Sequence, residues 1–449
     1  MSETLPYSAH ASWSLSGVSA PDAARRRLAF WLALIVVGIG LLLDEHKLYF
    51  AQNAGGDNVV ETDLVIEVEG ATLYRQFAYL SSGVLGALLL WNPGIRRSVG
   101  LPLLLVLLIG MNVWIASSAL WSSDFFLSAK RSILATLTLI LALGIAKQFT
   151  PRDLCLLCAS LAATYIGIGV VAELSFGTFL RGSDYRFCGT LHSNRQAINC
   201  AILGMAALAM FGEAKVASMG RPGLWLSALA CGALFLWLTK SRTSTIAFLP
   251  AVWIMLYLNG KTGRRCLLVF GGICVAFFLG VIALSASGDS LLSFARMGRN
   301  QDVEDIASLT GRVPIWEEVV QDIGDHPILG YGYGGFWSPA RVAYYATIHD
   351  WAFDHAHSAY LETMVNIGVI GLAIGLSIVA LSLRGAIHSF ADSRDPGFRF
   401  IAGVLTFAVF HGVLDTNFVR VGFACTTMLI GMAIVAFHAA SPSSPEAAR

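Results

Sequence analysis

Residues 101–120 read LPLLLVLLIGMNVWIASSAL, twenty positions without one Asp, Glu, Lys or Arg. A helix rises 1.5 Å per residue, so about 20 apolar residues cross a hydrocarbon layer of roughly 30 Å. Lipid offers no water to backbone N–H and C=O groups, so such a stretch must close its hydrogen bonds internally as a helix. The pattern recurs at 28–43, 77–91, 133–146, 154–171, 198–211, 224–238, 246–258, 266–284, 360–383, 400–413 and 421–437. Several of these are short for a full crossing, and tilt or extension into the joints is expected. The expected fold class is therefore all-α: a polytopic integral membrane protein with about 12 transmembrane helices.

Composition points the same way. Of 449 residues, 56% are hydrophobic and only 13% charged, against about 25% charged in an ordinary soluble domain, and the mean hydropathy is +0.66. A net charge of +1 gives no basic excess that would suggest a nucleic-acid partner. The eight cysteines are scattered through apolar segments, as suits small buried residues rather than a disulfide framework.

The first 27 residues are rich in Ser, Ala and Pro and end in Arg25-Arg26-Arg27. An apolar run follows, with Asp44-Glu45 behind it, which reads as an uncleaved first span rather than a signal peptide. Cationic clusters at Arg25–Arg27, Arg96-Arg97, Lys147 with Arg152, Lys215 with Arg221, Lys261 with Arg264-Arg265, and Arg384 with Arg394 and Arg399 fall on one face if the N-terminus is cytoplasmic. The expected organisation is a cytoplasmic tail over 1–27, helices one to nine within 28–284, a long periplasmic loop over 285–359, helices ten to twelve within 360–437, and a cytoplasmic tail over 438–449. Arg181, Arg186, Arg195, Arg242, Arg312 and Arg420 then lie at the outer ends of spans, where a compensating anion is expected.

The outer loop between helices nine and ten is too long for a plain connection. Val313, Trp316, Val319, Val320 and Ile323 recur at helical spacing, with Glu317, Glu318, Gln321 and Asp322 opposite and Pro314 in the first turn. The spacing predicts an amphipathic helix lying along the bilayer surface. His326-Pro327 stops it, and Gly330-Tyr331-Gly332-Tyr333-Gly334-Gly335 gives a turn.

Three outer segments, RFCGTLHSN (186–194), KSRTS (240–244), and GRVPIW with DHPILGYGYGGF and HAHSAYLETMVNIGVIGL within 311–372, resemble the signature pieces of the O-antigen ligase and O-antigen polymerase family. The resemblance implies a membrane glycosyltransferase in the bacterial inner membrane, its active site facing the periplasm. It implies transfer of a glycan from an undecaprenyl-diphosphate carrier to an acceptor hydroxyl in O-antigen, capsule or exopolysaccharide synthesis. Polymerase is slightly preferred, because Ser358 stands where the family commonly has Asn; the alternative is a ligase with lipid A core as acceptor. Implied partners are the lipid-linked glycan, an acceptor glycan or lipid A core, membrane lipids and other polysaccharide-assembly proteins.

A sugar leaving a diphosphate builds negative charge, which fixed guanidinium groups can offset by forking two donors onto phosphate. Arg242 and Arg312 match the family's SR and GR motifs and, with His357, are the expected catalytic residues. The imidazole would accept the acceptor's proton or position its hydroxyl by hydrogen bonding. Expected substrate-binding residues are Arg186, Asn194, Arg195, His355, Tyr360 and Glu362; Glu362, just inside a span, is costly unless paired and could orient His357 or bind sugar. Each arginine could instead simply anchor a span end to headgroups. No cofactor is expected. His349, Asp350, Asp354, His355 and His357 fit no familiar zinc spacing, and GYGYGG lacks the Lys-Ser/Thr ending of a phosphate loop. A twelve-span polysaccharide or lipid transporter or flippase is the alternative of another class, although the span middles carry almost no charge and show no half-repeat. A catalytically silent scaffold is a third.

Overall fold

The computed structural model describes residues 20–52, 73–92, 102–182, 185–214, 222–260, 271, 312–349 and 353–439, and these are all-helical, with no strand among them. The helices are α1 (Ala20–Glu45), α2 (Leu48–Gln52), α3 (Leu73–Trp91), α4 (Leu103–Ser117, continued by a tight turn Ser118–Trp121), α5 (Phe125–Gln148), α6 (Pro151–Phe176), α7 (Ser193–Ala214), α8 (Pro222–Leu238) and α9 (Arg242–Leu258). They continue with α10 (Arg312–Asp325), α11 (Pro339–His349), α12 (Ala359–Ser393), α13 (Pro396–His411) and α14 (Phe423–Ala439). Every expected span except 266–284, which lies outside the described residues save for residue 271, falls on one of these helices. Among the described residues five stretches are long and apolar enough to cross a membrane: Ala24–Glu45, Leu103–Trp121, Phe125–Gln148, Pro151–Phe176 and Ala359–Ser393. The helices Pro222–Leu238, Arg242–Leu258, Pro396–His411 and Phe423–Ala439 are apolar but shorter.

The central helix is α6. Thr150 and Asp153 form a reciprocal capping box, Pro151 occupies its first turn, and Gly177 ends it in the left-handed conformation. Its inward residues Leu154, Cys155, Cys158 and Ala162 are buried. Arg26 from α1 pairs with Asp153, and Gly397 at the start of α13 lies against the Pro151 backbone, so the starts of α1, α6 and α13 share one end of the bundle. Close helix approach depends on small residues: a Cβ on Gly144 of α5 would lie 2.3 Å from the Gly86 carbonyl of α3.

Three features differ from the expected pattern. The amphipathic helix of the long loop is present as α10, but its apolar edge, Ile315, Val319 and Ile323, is buried in a cluster with Phe336, Trp337, Tyr345 and Val365. It packs on protein rather than presenting that edge to lipid. The loop also holds a second helix, α11, which the sequence pattern did not show. Finally, α12 is broken at Ile367 (φ −132°, ψ 15°) and Gly368 (φ 69°, ψ −175°). The interruption is filled by the turn after α10. Tyr331 N–H donates to Val365 O at 2.9 Å, Val369 N–H to Pro327 O at 2.9 Å, and the Trp114 indole to Ile367 O at 3.1 Å.

Candidate active site

The segment Phe353–Ser358 leads into α12, and its backbone is clamped on both sides. Ala356 N–H donates to Glu362 Oε2 at 2.8 Å, and Ala356 O accepts from the Trp316 indole of α10 at 2.9 Å. Glu362, only 6% exposed, also accepts from the Trp337 indole (3.0 and 3.1 Å) and from Asn366 Nδ2 (2.8 Å). Asn366 passes the connection on by accepting from Gly334 N–H at 2.8 Å. These bonds satisfy a buried carboxylate that would otherwise be expensive. They also fix Glu362's part: it holds the loop that carries His357, and its recorded partners do not include the imidazole.

His357 itself takes a left-handed backbone (φ 49°), a costly conformation for a residue with a Cβ. Its ring centroid lies 4.0 Å from that of His355. His355 Nδ1 is 2.7 Å from Asp354 Oδ1, and Asp354 takes a two-pronged contact from Arg420 (2.9 and 2.5 Å). Burial acts to raise the Asp354 pKa, but Arg420 and His355 outweigh it and hold the carboxyl well below its usual range. For His357, burial, then His355 and Arg312, with His192 adding and only Asp354 opposing, push the imidazole well below its ordinary 6.5. The ring is therefore neutral at physiological pH.

The second and third expected pieces meet here. Arg312, at the start of α10, is lowered by burial; Asp415 opposes that shift and Arg242 reinforces it. Arg242 in turn lies within electrostatic reach of Arg186. The structure thus brings Arg186, Arg242, Arg312 and His357 into one linked electrostatic group, although they come from four separate parts of the chain. Arg186 is buried, and its Nε donates to Thr239 O at 3.3 Å, lacing the 186–194 segment to the turn before α9. Asn194 joins through Ser241: Ser241 Oγ is 3.0 Å from Asn194 Oδ1 and 3.2 Å from Ser244 Oγ, which is 3.1 Å from His411 Nε2.

Other expected residues lie elsewhere. Arg195, Tyr360 and Glu362 line a cavity of about 800 Å³, whereas Arg186, Asn194, Arg242, Arg312, His355 and His357 are not among its described lining residues. The Tyr360 hydroxyl donates to Val409 O at 2.7 Å, tying the start of α12 to the end of α13. Sequence reasoning missed several organising residues. Glu173 is fully buried and gathers the 186–194 segment, accepting from Tyr185 Oη (2.6 Å), Cys188 N–H (3.0 Å) and Gly189 N–H (2.6 Å). His411 and Asp415 flank the arginine group; burial would raise Asp415, but His411, His355, the Asn417 N–H and Arg312 lower it. An ionisable residue inside an apolar run, as His411 is, was the available signal.

Residues 226–376 match the family model described as O-antigen ligase. Over that stretch the chain is similar to the O-antigen ligases. The matched stretch contains Arg242, Arg312, His355, His357, Tyr360 and Glu362, while Arg186, Asn194 and Arg195 lie before it. The chain is also 25% identical over 321 residues to the exopolysaccharide production protein ExoQ of Rhizobium meliloti (strain 1021), covering 64% of this chain and 70% of that protein. The resemblance read from the three motifs is thus borne out, in a membrane protein built of apolar helices.

Proposed function

We propose that this O-antigen ligase-like chain is a membrane glycosyltransferase of polysaccharide biosynthesis. It transfers a glycan from an undecaprenyl-diphosphate carrier to an acceptor hydroxyl on the periplasmic side of the inner membrane. The observation that carries the reading is the convergence of Arg186, Arg242 and Arg312 beside a neutral His357. Like charges held within electrostatic reach of one another favour a polyanion, and the diphosphate supplies one.

In the transfer, the bond from sugar C1 to the diphosphate oxygen breaks while the acceptor oxygen bonds to C1. The arginines take up the charge that develops on the leaving diphosphate. The acceptor's proton goes to His357, or the imidazole only holds that hydroxyl in line by accepting its hydrogen bond and the proton leaves on the departing diphosphate. Burial and His355 contribute most to keeping His357 neutral, with Arg312 behind them; a diphosphate bound beside Arg312 offsets that last contribution, so donor binding raises the imidazole's proton affinity when a base is needed. Polymerase is preferred over ligase, and the ExoQ similarity supports an exopolysaccharide or capsule product.

Arg242→Ala, Arg312→Ala and His357→Ala are each expected to abolish product while the protein remains folded in the membrane. Loss on the order of a hundredfold or more per arginine is the scale for removing a preorganised donor to a developing anion. Full product formation by all three variants removes the mechanism. Purified protein with a lipid-linked repeat, with and without lipid A core, separates polymerase from ligase. The interrupted α12 and the large cavity favour a second reading, a lipid or polysaccharide transporter. Movement of glycolipid in protein-containing liposomes without new glycosidic bonds would select it.

A further inference from the structure

The cavity of about 800 Å³ is in the size range of a ligand site and has two kinds of wall. Leu108 and Met111 of α4, Leu134 of α5, Leu376 of α12 and Met428 and Met432 of α14 make it apolar along its length. Cations gather elsewhere in the lining: Arg75, Lys130, Arg131, Arg195 and Arg420. Two of these are paired, Arg75 with Asp44 and Arg420 with Asp354.

Arg131 differs from that pair. Its Nη1 donates to the Gly334 carbonyl, it makes no direct ion pair among the described residues, and it lies within electrostatic reach of Arg420, Asp354 and Glu362. A guanidinium with donors to spare at the rim of an apolar chamber suits a phosphate carried on a long hydrocarbon chain. The cavity also abuts the catalytic segment from one side only. Asp354 lines it, whereas His357, three residues on, is coupled to Arg312 and does not line it.

We propose that this cavity seats the lipid anchor of the second substrate, the acceptor: a long isoprenyl or acyl chain whose phosphate is read by Arg131, separate from the diphosphate held by the Arg186–Arg242–Arg312 group. The inference rests on the glycosyl-transfer reading, because a transfer between two membrane-anchored glycans needs two lipid seats that meet at one hydroxyl-activating residue. The segment 353–358, with Asp354 on one side and His357 on the other, is where those seats meet.

The test uses the full chain in phosphatidylcholine nanodiscs with a polyprenyl phosphate carrying a photoactivatable diazirine in its chain. Mass spectrometry is expected to find adducts on cavity residues such as Met111, Leu134 and Met432. Arg131→Ala should cut their yield by about tenfold or more, the scale of a lost charge-assisted hydrogen bond. Gly375→Phe, at a cavity-lining position where a Cβ meets only Met111 Cε at 3.8 Å, should do the same by filling the chamber, with an unchanged melting midpoint as the check that the variant is folded. Arg242→Ala should leave these adducts at the wild-type yield.

Competition by unlabelled undecaprenyl phosphate identifies a lipid-linked repeat as the occupant; competition by lipid A identifies an acylated acceptor. Adducts confined to bilayer-facing residues such as Leu28 and Val171, yields insensitive to both substitutions, or suppression by inorganic phosphate alone would each overturn the proposal. Cavity adducts together with no glycosidic product from the unsubstituted protein supplied with donor and acceptor would instead sink the glycosyl-transfer reading and leave the lipid seat standing.

Discussion

The proposed chemistry turns on one imidazole whose surroundings oppose a positive charge. His357 is buried, its ring tilted against that of His355 and within the field of Arg312, so its folded-state pKa lies below the ordinary value and the neutral form persists as pH falls through 6.5. A reaction that needs neutral His357 keeps its rate on the acid side of that value. His355 is the largest charged contributor to the depression. Replacing it by an uncharged residue of similar reach therefore moves the acid limb upward, towards 6.5. The expected result is that kcat/KM against pH stays flat below 6.5 in the wild type, and that His355→Gln shifts its acid limb to higher pH. Coincident profiles with a limb at the ordinary histidine value would refute this account of the imidazole. The motif at 355–362 made His357 legible in the sequence, but the field around it was not legible, because Arg312, Asp354 and Arg420 reach it only through tertiary packing. Glu362 shows the converse. Its cost inside a span was readable, whereas its partners Trp337, Ala356 and Asn366 were not.

At the level of elements, hydrophobic runs located the helices well because lipid imposes one solution, a closed backbone ladder, on any long apolar stretch. The break in α12 escaped notice for the same reason. NIGVIGL at 366–372 is uniformly apolar apart from Asn366, and only the approach of the turn after α10 determines which glycine gives way. Gly368 adopts φ 69° and ψ −175°, a region almost closed to residues with a Cβ, and a Cβ there would lie 1.9 Å from Ile328 O. Strain of this kind costs about 1–3 kcal/mol before any overlap is counted. Gly368→Ala is accordingly expected to lower the thermal unfolding midpoint and reduce product, because the turn it displaces carries Gly334, which is bonded to Asn366 and Arg131. Gly375→Ala, seven residues along the same helix, adds only an ordinary contact with Met111 and should hold or slightly raise the midpoint, since Gly costs about 1 kcal/mol relative to Ala in a helix. Equal midpoints for the two alanine variants would mean that the break does not constrain α12. Fluorescence-monitored melting in detergent reads the comparison directly.

Over the whole molecule, the sequence separates two charge populations, and the fold places members of each at opposite ends of its helices. Arg26 and Asp153 meet where α1 and α6 begin, and Lys147 near the end of α5 donates to Leu90 O at 2.5 Å near the end of α3. Glu45 at the far end of α1 accepts from Phe423 N–H at 3.1 Å where α14 begins, and the turn before α14 carries Arg420 of the candidate site. What the sequence could not supply was the separation of the site from the cavity. Arg195 and Asn194 are neighbours in the chain, yet Arg195 lines the cavity and Asn194 joins the serine–histidine relay, because successive residues of a helix face different directions. The proposed orientation puts the Arg26 end, with its clustered cations, in the cytoplasm by the positive-inside tendency and the candidate site at the opposite face. Ser123, between α4 and α5, is exposed beside the cavity end, and Asp392, near the end of α12, is exposed at the other. A membrane-impermeant maleimide applied to spheroplasts should therefore modify Ser123→Cys directly and Asp392→Cys only after permeabilisation. The described native cysteines are buried or half-buried, which keeps their labelling low. The reverse order of labelling would turn the protein over in the membrane and put the arginine group on the cytoplasmic side, where a transfer to periplasmic glycan has no acceptor.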